Sequence, residues 1–136
     1  MEIKRLQGTE EELYRLVAPL VMNPVVLKQN YNFPFRTSER FEWFVGVNDE
    51  GQVSGFVPVE RKRAENVINN YYVKGKDAEV LEALLKPVVA AYAGDWLAVV
   101  AFAEDADLFR SLGFVTEKQW TRYVRMRKEP ADEKQA

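Results

Sequence analysis

The stretch WLAVVAFAEDADLFRSLGF, residues Trp96 to Phe114, decides the predicted fold. It opens with an apolar run that lacks polar alternation, which is typical of a strand buried on both faces of a sheet. A helical repeat follows, in which three apolar residues share one side: Leu108, Phe109 and Leu112. Gly113 stands where a left-handed helix C-terminus is expected, and Phe114 restarts an extended segment. The stretch therefore predicts a strand–helix–strand unit.

The composition limits the chemistry that the chain can perform. With 136 residues, 47 % of them hydrophobic and 29 % charged, the chain is expected to form one soluble globular domain. It has no cysteine and no histidine, which excludes disulfides, thiolate nucleophiles, Ser-His-Asp chemistry and the usual zinc sites. We therefore expect no metal, and acid–base work would fall to Glu, Asp, Lys or Tyr.

The distribution of charge and apolar residues also limits the partners. The net charge is −2 and the basic residues are scattered, so the sequence predicts no nucleic-acid partner. No apolar run reaches the length of a membrane helix, and the first residues lack the apolar core of a signal peptide. We therefore expect a cytoplasmic protein with no membrane partner.

The N-terminal part predicts one strand and two helices. Ile3 to Leu6 is a short first strand. Thr9 is predicted as the N-cap of a helix over residues 9–21, with Glu12 completing a capping box. Pro24 precedes a second, shorter helix.

A three-stranded meander is predicted next. Phe41 to Val47 shows the two-residue period of a strand, and Gly51 suits the positive φ of the turn that follows. Val53 to Val59 continues as the second strand, in which Pro58 predicts an edge position or a bulge. Asn66 to Val73 is the third strand.

The remaining elements complete the order β-α-α-β-β-β-α-β-α-β. Residues 78–92 form a predicted helix in which Pro87 should cause a kink or begin a new turn, and residues 118–127 form a last strand. The order predicts an α+β fold with a central, mainly antiparallel mixed sheet of about six strands flanked by helices. We expect one domain over residues 1–128 and a disordered polar tail over residues 129–136.

This element order and the Leu-Gly-Phe ending at Phe114 resemble the GNAT-type N-acetyltransferases, whose last helix often ends in Tyr-x-x-x-Gly-Phe. The resemblance covers residues 1–128. It implies a GNAT-like fold, acetyl-CoA as the cofactor and an amine as the acyl acceptor. In that family a loop of the form Arg/Gln-x-x-Gly-x-Gly/Ala holds the pyrophosphate of coenzyme A with backbone N–H groups at a helix N-terminus.

The equivalent stretch here is VKGKDAEV, residues 73–80, which departs from the family pattern. The resemblance assigns cofactor binding to Val73, Lys74, Gly75, Lys76 and Ala78. Two interpretations compete at this point. Either the two lysines supply positive charge and the loop still holds a phosphate, or Asp77 caps the helix and Glu79 interacts with its dipole. The second interpretation explains both acids with one mechanism.

The catalytic positions of the family are also altered. The tyrosine that protonates the leaving thiolate lies four residues before the motif glycine, and here that position is Phe109. Loss of a general acid typically costs about 10² to 10⁴ in rate. The catalytic candidates that we predict are Glu60 as the base and Tyr72 and Tyr123 as substitutes for the acid; Tyr71 also lies on a predicted strand that could face the cleft. The alternative is that Glu60 is a solvated face residue and that the tyrosines are half-buried sheet residues.

An aromatic loop lies where the family has its substrate-covering segment. It contributes Tyr31, Phe33 and Phe35 as substrate-binding candidates. The loop would line an apolar acceptor pocket or a partner surface, or else fold back over one end of the core.

The resemblance implies the first of two functions, which is our prediction, and the altered residues leave the second as its alternative. The first is an acyl-CoA-dependent N-acyltransferase, acting on a small amine or a peptide amine. The second is a non-catalytic GNAT-like module that binds a ligand or a protein and has lost acetyl-CoA binding. A homodimer is compatible with either function, with residues 118–127 pairing across the two chains.

Overall fold

The computed structural model describes residues 1–131 of the chain. Within them are eight strands and four α-helices, with single 3₁₀ turns at Lys74–Lys76 and Ala103–Asp105. In chain order the elements are β1 (Glu2–Gln7), α1 (Glu11–Val21), α2 (Pro24–Gln29), β2 (Phe41–Val47), β3 (Val53–Arg61), β4 (Asn66–Ile68), β5 (Tyr72–Val73), α3 (Ala78–Ala91), β6 (Leu97–Phe102), α4 (Ala106–Ser111), β7 (Val115–Gln119) and β8 (Tyr123–Lys128).

All strands belong to one sheet with the order β1-β2-β3-β4-β6-β8-β7, and β5 pairs with β3 beyond the end of β4. Among the described strands β4 and β6 form the one parallel pair, and the other pairs are antiparallel. The predicted α+β fold with a mainly antiparallel mixed sheet is thus confirmed. The sheet has eight strands rather than about six, because two predicted strands are each divided in two.

The first divided strand is the predicted third strand of the meander, over residues 66–73. It pairs with β3 as β4, leaves the sheet at residues 69–71, and pairs again as β5. Pro58 lies in β3 opposite this interruption, where Asn69 N donates to Pro58 O at 2.9 Å. An edge position for Pro58 is therefore wrong, because β3 has neighbours on both sides, and the missing N–H is accommodated by the irregularity.

The second divided strand is the predicted last strand, over residues 118–127. It is a hairpin of β7 and β8, in which Trp120 N donates to Tyr123 O at 2.8 Å. Since β8 is already paired with both β6 and β7, only β7 offers an open edge within this segment. The expectation of one continuous strand over these residues is therefore corrected, and the predicted pairing across two chains would have to use β7.

The start of α1 also differs from its prediction. The helix begins at Glu11 with Glu10 as the N-cap residue, so the assignment of Thr9 as the cap is wrong. Glu10 Oε2 accepts from Gln7 N at 2.8 Å, and Glu12 accepts from Lys4 Nζ at 2.6 Å instead of closing a capping box. Glu12 thus bonds the Lys4 ammonium group on β1 and not a backbone N–H group at the start of the helix.

Two hydrophobic clusters cover the two faces of the sheet. On one face α3 and α4 bury Leu84, Leu85 and Phe109 against the strands. On the other face α1 and α2 bury Leu13 and Val26 against the first three strands. Burial of this kind contributes about 1.5–3 kcal/mol for each large side chain.

The last described elements bear on two further predictions. Helix α3 continues from Ala78 to Ala91 through Pro87, so no new helix begins there. Ala131 N, within the predicted tail, donates to Ala93 O at 2.7 Å, and residues 132–136 lie outside the described residues. No helix among residues 1–131 is long and apolar enough to cross a membrane.

Candidate functional site

The candidate site lies where β4 and β6 part. The two strands pair from Asn66 opposite Leu97 to Ile68 opposite Val99, and their pairing ends there. A wedge-shaped gap opens between the continuing chain of residues 69–71 and the second half of β6. Parted parallel strands expose backbone groups that a ligand or a side chain must satisfy.

Tyr71 fills the base of this wedge. Its ring is buried, and its hydroxyl accepts from Phe102 N at 2.9 Å and donates to Asp105 Oδ2 at 2.6 Å. Burial, followed by the Asp105 carboxylate, raises the pKa of Tyr71 well above its ordinary value. Burial also raises the pKa of Asp105. The Tyr71 hydroxyl thus already bonds Phe102 N at the end of β6, so this N–H group is not free to bond a ligand in the wedge.

The N-terminus of α3 borders the wedge and is occupied by the protein's own carboxylate. Asp77 Oδ1 accepts from Glu79 N at 3.0 Å and from Val80 N at 3.3 Å. Gly75 and Lys76 precede it with φ of 65° and 53°, which turn the chain into the helix. The Asp77 cap that the sequence offered as one of two interpretations is therefore present in the structure.

Little free space remains beside this helix end. The cleft there measures about 20 Å³, room for about one water molecule. Three carboxylates line it: Asp77, Glu104 and Asp105. Lys76 also lines it, but Lys76 Nζ is 3.3 Å from Glu104 Oε1, so its charge is already paired.

A much larger pocket of about 400 Å³ lies on the other side of Tyr71. We call it the aromatic pocket, because its wall contains Phe33, Tyr71, Phe102, Trp120 and Tyr123. Three asparagines share the wall: Asn30, Asn69 and Asn70. The volume is in the range of small-molecule sites. Its residues come from four separate segments, which only the folded sheet brings together.

The backbone around the aromatic pocket is strained at several positions. Tyr31, Asn32 and Asn70 have φ of 53°, 63° and 46°, in the left-handed region that residues other than glycine rarely adopt. Asparagine tolerates this region better than tyrosine does. Strain of this kind persists where surrounding contacts impose it, and it is commonest at functional sites.

The three predicted catalytic residues do not converge. Tyr123 lies in the pocket wall, stacked on Phe102 at 5.6 Å between ring centroids, and Tyr72 packs against Phe56 in the other hydrophobic cluster. The Tyr123 hydroxyl is buried without a partner among the described residues, and burial raises the pKa of both tyrosines. Glu60 is buried, and its Oε1 accepts from Arg36 and from Asn69 at 3.0 Å each. The carboxylate of Glu60 is thus already engaged.

The predicted substrate loop is divided between the two faces of the sheet. Phe33 lines the aromatic pocket and is 56 % exposed. The Tyr31 ring packs against Phe102 and Tyr123, but Phe35 packs against Phe56 in the opposite cluster. Part of the loop thus covers the core and part of it lines the pocket.

The cofactor candidates occupy the end of β5 and the turn into α3. Val73 O accepts from Gln29 Nε2 at 2.8 Å, and Lys74, Gly75 and Lys76 form the 3₁₀ turn. Ala78 is the first residue of α3. Phe109, at the family's tyrosine position, is fully buried in the core. Sequence reasoning missed the roles of Tyr71 and Trp120, which no local motif indicates.

Comparison with solved structures identifies the architecture. An acyl-CoA N-acyltransferase from Pseudomonas aeruginosa superposes with a TM-score of 0.71 at 15 % identity, over 93 % of this chain and 98 % of that one. Escherichia coli ElaA gives 0.69 at 14 % identity, over 95 % and 100 %. A GNAT-family acetyltransferase from Staphylococcus aureus gives 0.62 at 12 % identity, over 93 % and 98 %. The chain has the GNAT fold.

Sequence comparison gives no closer assignment. No protein-family model matches the chain, and no curated protein is significantly similar to it. At these identities the GNAT fold is shared and the site residues must be judged individually. The predicted GNAT-like architecture is thus confirmed. The aromatic pocket and the Asp77 cap of α3 depend on individual side chains, and the shared fold does not imply them.

Proposed function

We propose that this protein is a GNAT-fold module that binds a ligand in the aromatic pocket and does not hold acetyl-CoA at the start of α3. The observation that carries the proposal is the Asp77 carboxylate, which accepts from the amides of Glu79 and Val80. A pyrophosphate bound at a helix N-terminus needs those same donors. The residues present therefore do not fit the cofactor of the fold's acyltransferases.

Charge strengthens this argument. Asp77 at the N-cap and Glu79 in the first turn place two carboxylates at the start of α3, and Glu104 and Asp105 stand across the cleft. One carboxylate about 4 Å from a phosphate charge costs about 4 kcal/mol at an effective dielectric of 20. That penalty corresponds to roughly a thousandfold loss of affinity. Lys76 and Glu104 offset each other across their 3.3 Å contact, which leaves Asp77, Glu79 and Asp105 as the carboxylates without an ion pair among the described residues at this helix end.

The aromatic pocket provides the alternative binding site. It has a ligand-sized volume, a largely apolar wall and a few amide groups that can orient a bound molecule. It is separated from the start of α3 by the buried Tyr71 ring. Ligand binding in the pocket therefore does not require any group at the cofactor loop.

A second candidate is an acyl-CoA-dependent N-acyltransferase that acts on a small amine or a peptide amine. The GNAT fold favours it, as do Lys74 and Lys76 beside the helix end. It would require acid–base chemistry from Glu60, Tyr72 or Tyr123. The contacts of Glu60 with Arg36 and Asn69 count against a free base at that position.

Calorimetric titration of the native protein with acetyl-CoA, at low and moderate salt, distinguishes the two candidates. The proposal predicts no saturable heat up to millimolar cofactor at either salt concentration. Micromolar binding would overturn it and would support the acyltransferase, with the lysines compensating the carboxylates. Two salt concentrations are used because salt screens both the lysine–phosphate attraction and the carboxylate–phosphate repulsion, so that binding is tested where either of them is strong or weak.

A further inference from the structure

We infer that the aromatic pocket takes an uncharged aromatic ring that carries an amide or carbonyl group. The inference rests on the proposed function, since it takes the aromatic pocket to be a ligand site. The aromatic rings, the absence of charged residues and the asparagine amides of the wall each indicate this class of ligand.

The aromatic side chains indicate a flat ligand. Phe33 on the loop after α2 meets Trp120 and Tyr123 of the β7–β8 hairpin at the pocket, where Phe33 and Trp120 remain 56 % and 43 % exposed. Aromatic rings pack best against other rings in offset or edge-to-face arrangements. The volume of about 400 Å³ accommodates a single ring or a fused pair with its substituents.

The absence of charge in the wall indicates a neutral ligand. None of the described residues that line the pocket is Asp, Glu, Lys or Arg. Two acids bond wall residues from behind. Glu60 accepts from Asn69 and is paired with Arg36 at 3.0 Å, and Asp105 accepts from the Tyr71 hydroxyl and lines the small cleft on the far side of that ring. A protonated amine would therefore lose its hydration without a carboxylate partner in the wall. Cation–π contacts with the aromatic rings return less free energy than the desolvation of an ion costs.

The charges nearest to Tyr123 support the same conclusion. The Arg122 guanidinium lies over the Tyr31 ring at 4.7 Å from its centroid, and the Tyr31 ring contacts Tyr123. Glu104, the acid on this side, is paired with Lys76. A cationic ligand in contact with Tyr123 would thus lie near a guanidinium and near an acid that is already paired.

The asparagines indicate an amide or carbonyl substituent. Asn30 Nδ2 donates to Phe33 O at 2.9 Å and is 3.3 Å from Asn70 Oδ1, so Asn30 holds the wall in place. Asn69 and Asn70 follow one another at the parting of the strands, and Asn70 is fixed with φ of 46°. A primary amide presents one acceptor and two donors, which suits a ligand bearing the same groups.

Benzamide and benzylamine form a matched pair of probes, since they share a ring and differ in charge. Binding is followed by tryptophan fluorescence, with Trp120 as the reporter in the wall, and is checked by calorimetry on Trp120→Phe. We expect saturable benzamide binding in the millimolar range, as suits a fragment of this size. We expect benzylamine to bind at least about tenfold more weakly.

Asn70→Asp is the decisive variant, because aspartate has the same shape and also tolerates a left-handed backbone. It places a carboxylate in the wall, so the preference should reverse in favour of benzylamine. Equal or tighter binding of benzylamine by the native protein would overturn the inference, as would no saturable benzamide signal. These results are independent of the acetyl-CoA titration, so a protein that binds both acetyl-CoA and benzamide would overturn the proposed function alone.

Discussion

The hydroxyl of Tyr71 and the carboxylate of Asp105 are 2.6 Å apart, and this contact joins the interrupted strand region of residues 69–71 to the turn before α4. The same hydroxyl accepts from Phe102 N at 2.9 Å. Tyr71 therefore replaces the strand pairing that ends at Ile68. It also separates the start of α3 from the aromatic pocket.

Removal of the Tyr71 hydroxyl should weaken the fold. Tyr71→Phe leaves Phe102 N and Asp105 without their partner, and an unsatisfied buried group costs about 1–3 kcal/mol. We expect the free energy of unfolding to fall by that amount in urea titrations. Tyr72→Phe is the matched control, since the neighbouring ring packs against Phe56 on the opposite face of the sheet. Equal losses in the two variants would contradict the bridging role of Tyr71.

The cap of α3 should depend on an oxygen at position 77 rather than on charge. Asp77→Ala removes the acceptor for Glu79 N and Val80 N, and loss of such a cap costs about 0.5–2 kcal/mol. Asp77→Asn keeps an acceptor and should retain most of the stability. Thermal unfolding of the two variants tests this prediction, and equal destabilisation would argue against the cap.

The turn before α3 should accept glycine more readily at position 76 than at position 74. Lys76 has φ of 53°, a conformation that glycine adopts without strain, whereas Lys74 is not among the positive-φ residues. Lys76→Gly should therefore be about 1 kcal/mol more stable than Lys74→Gly. The difference in the free energy of unfolding between the two variants is the measurement. A reversed order would mean that the Lys76–Glu104 contact outweighs the backbone strain.

Stability should fall in alkaline solution because of buried tyrosines. Burial and the hydrogen bond to Glu42 raise the pKa of Tyr92 well above the ordinary value of 10.0. Above pH 10.0 this phenol loses its proton in the unfolded chain but keeps it in the folded protein. The free energy of unfolding therefore falls as the pH rises. The slope is up to about 1.4 kcal/mol per pH unit for each such phenol.

The contribution of Tyr92 can be isolated by substitution. Tyr92→Phe should flatten the decline of unfolding free energy above pH 10, even though its stability at neutral pH is lower. Tyr14→Phe removes an exposed phenol and serves as the control. Identical slopes for the two variants would contradict the assignment to Tyr92.

The sequence predicted the elements whose signals are local. Within the strand–helix–strand unit, Gly113 follows the helix with φ of 101°, as the pattern predicts. Gly51 turns the first hairpin with φ of 78°. Periodicity and turn chemistry act over a few residues, and tertiary contacts agree with them here. The Asp77 cap was visible for the same reason.

The sequence could not predict features that depend on distant residues. The break between β4 and β5 arises because Tyr71 turns into the wedge toward Asp105, which no local pattern indicates. Trp120 joins the aromatic pocket through a hairpin turn that contains neither glycine nor proline. Thr9 lost its predicted cap role because Glu10 bonds Gln7 and Glu12 bonds Lys4. Partners far apart in sequence decided the first two cases, and contacts three and eight residues apart displaced the capping box at α1.

If carboxylates at the start of α3 prevent acetyl-CoA binding, their removal should restore it. Acetyl-CoA is titrated into the native protein, into Glu79→Gly, into the Asp77→Gly, Glu79→Gly double variant, and into Glu82→Gly as a control on the same helix. We predict no saturable heat for the native protein and the control. We predict tighter binding in Glu79→Gly and tighter still in the double variant, by up to about a thousandfold. Micromolar binding by the native protein, with affinity unchanged or weaker in the variants, would contradict the account.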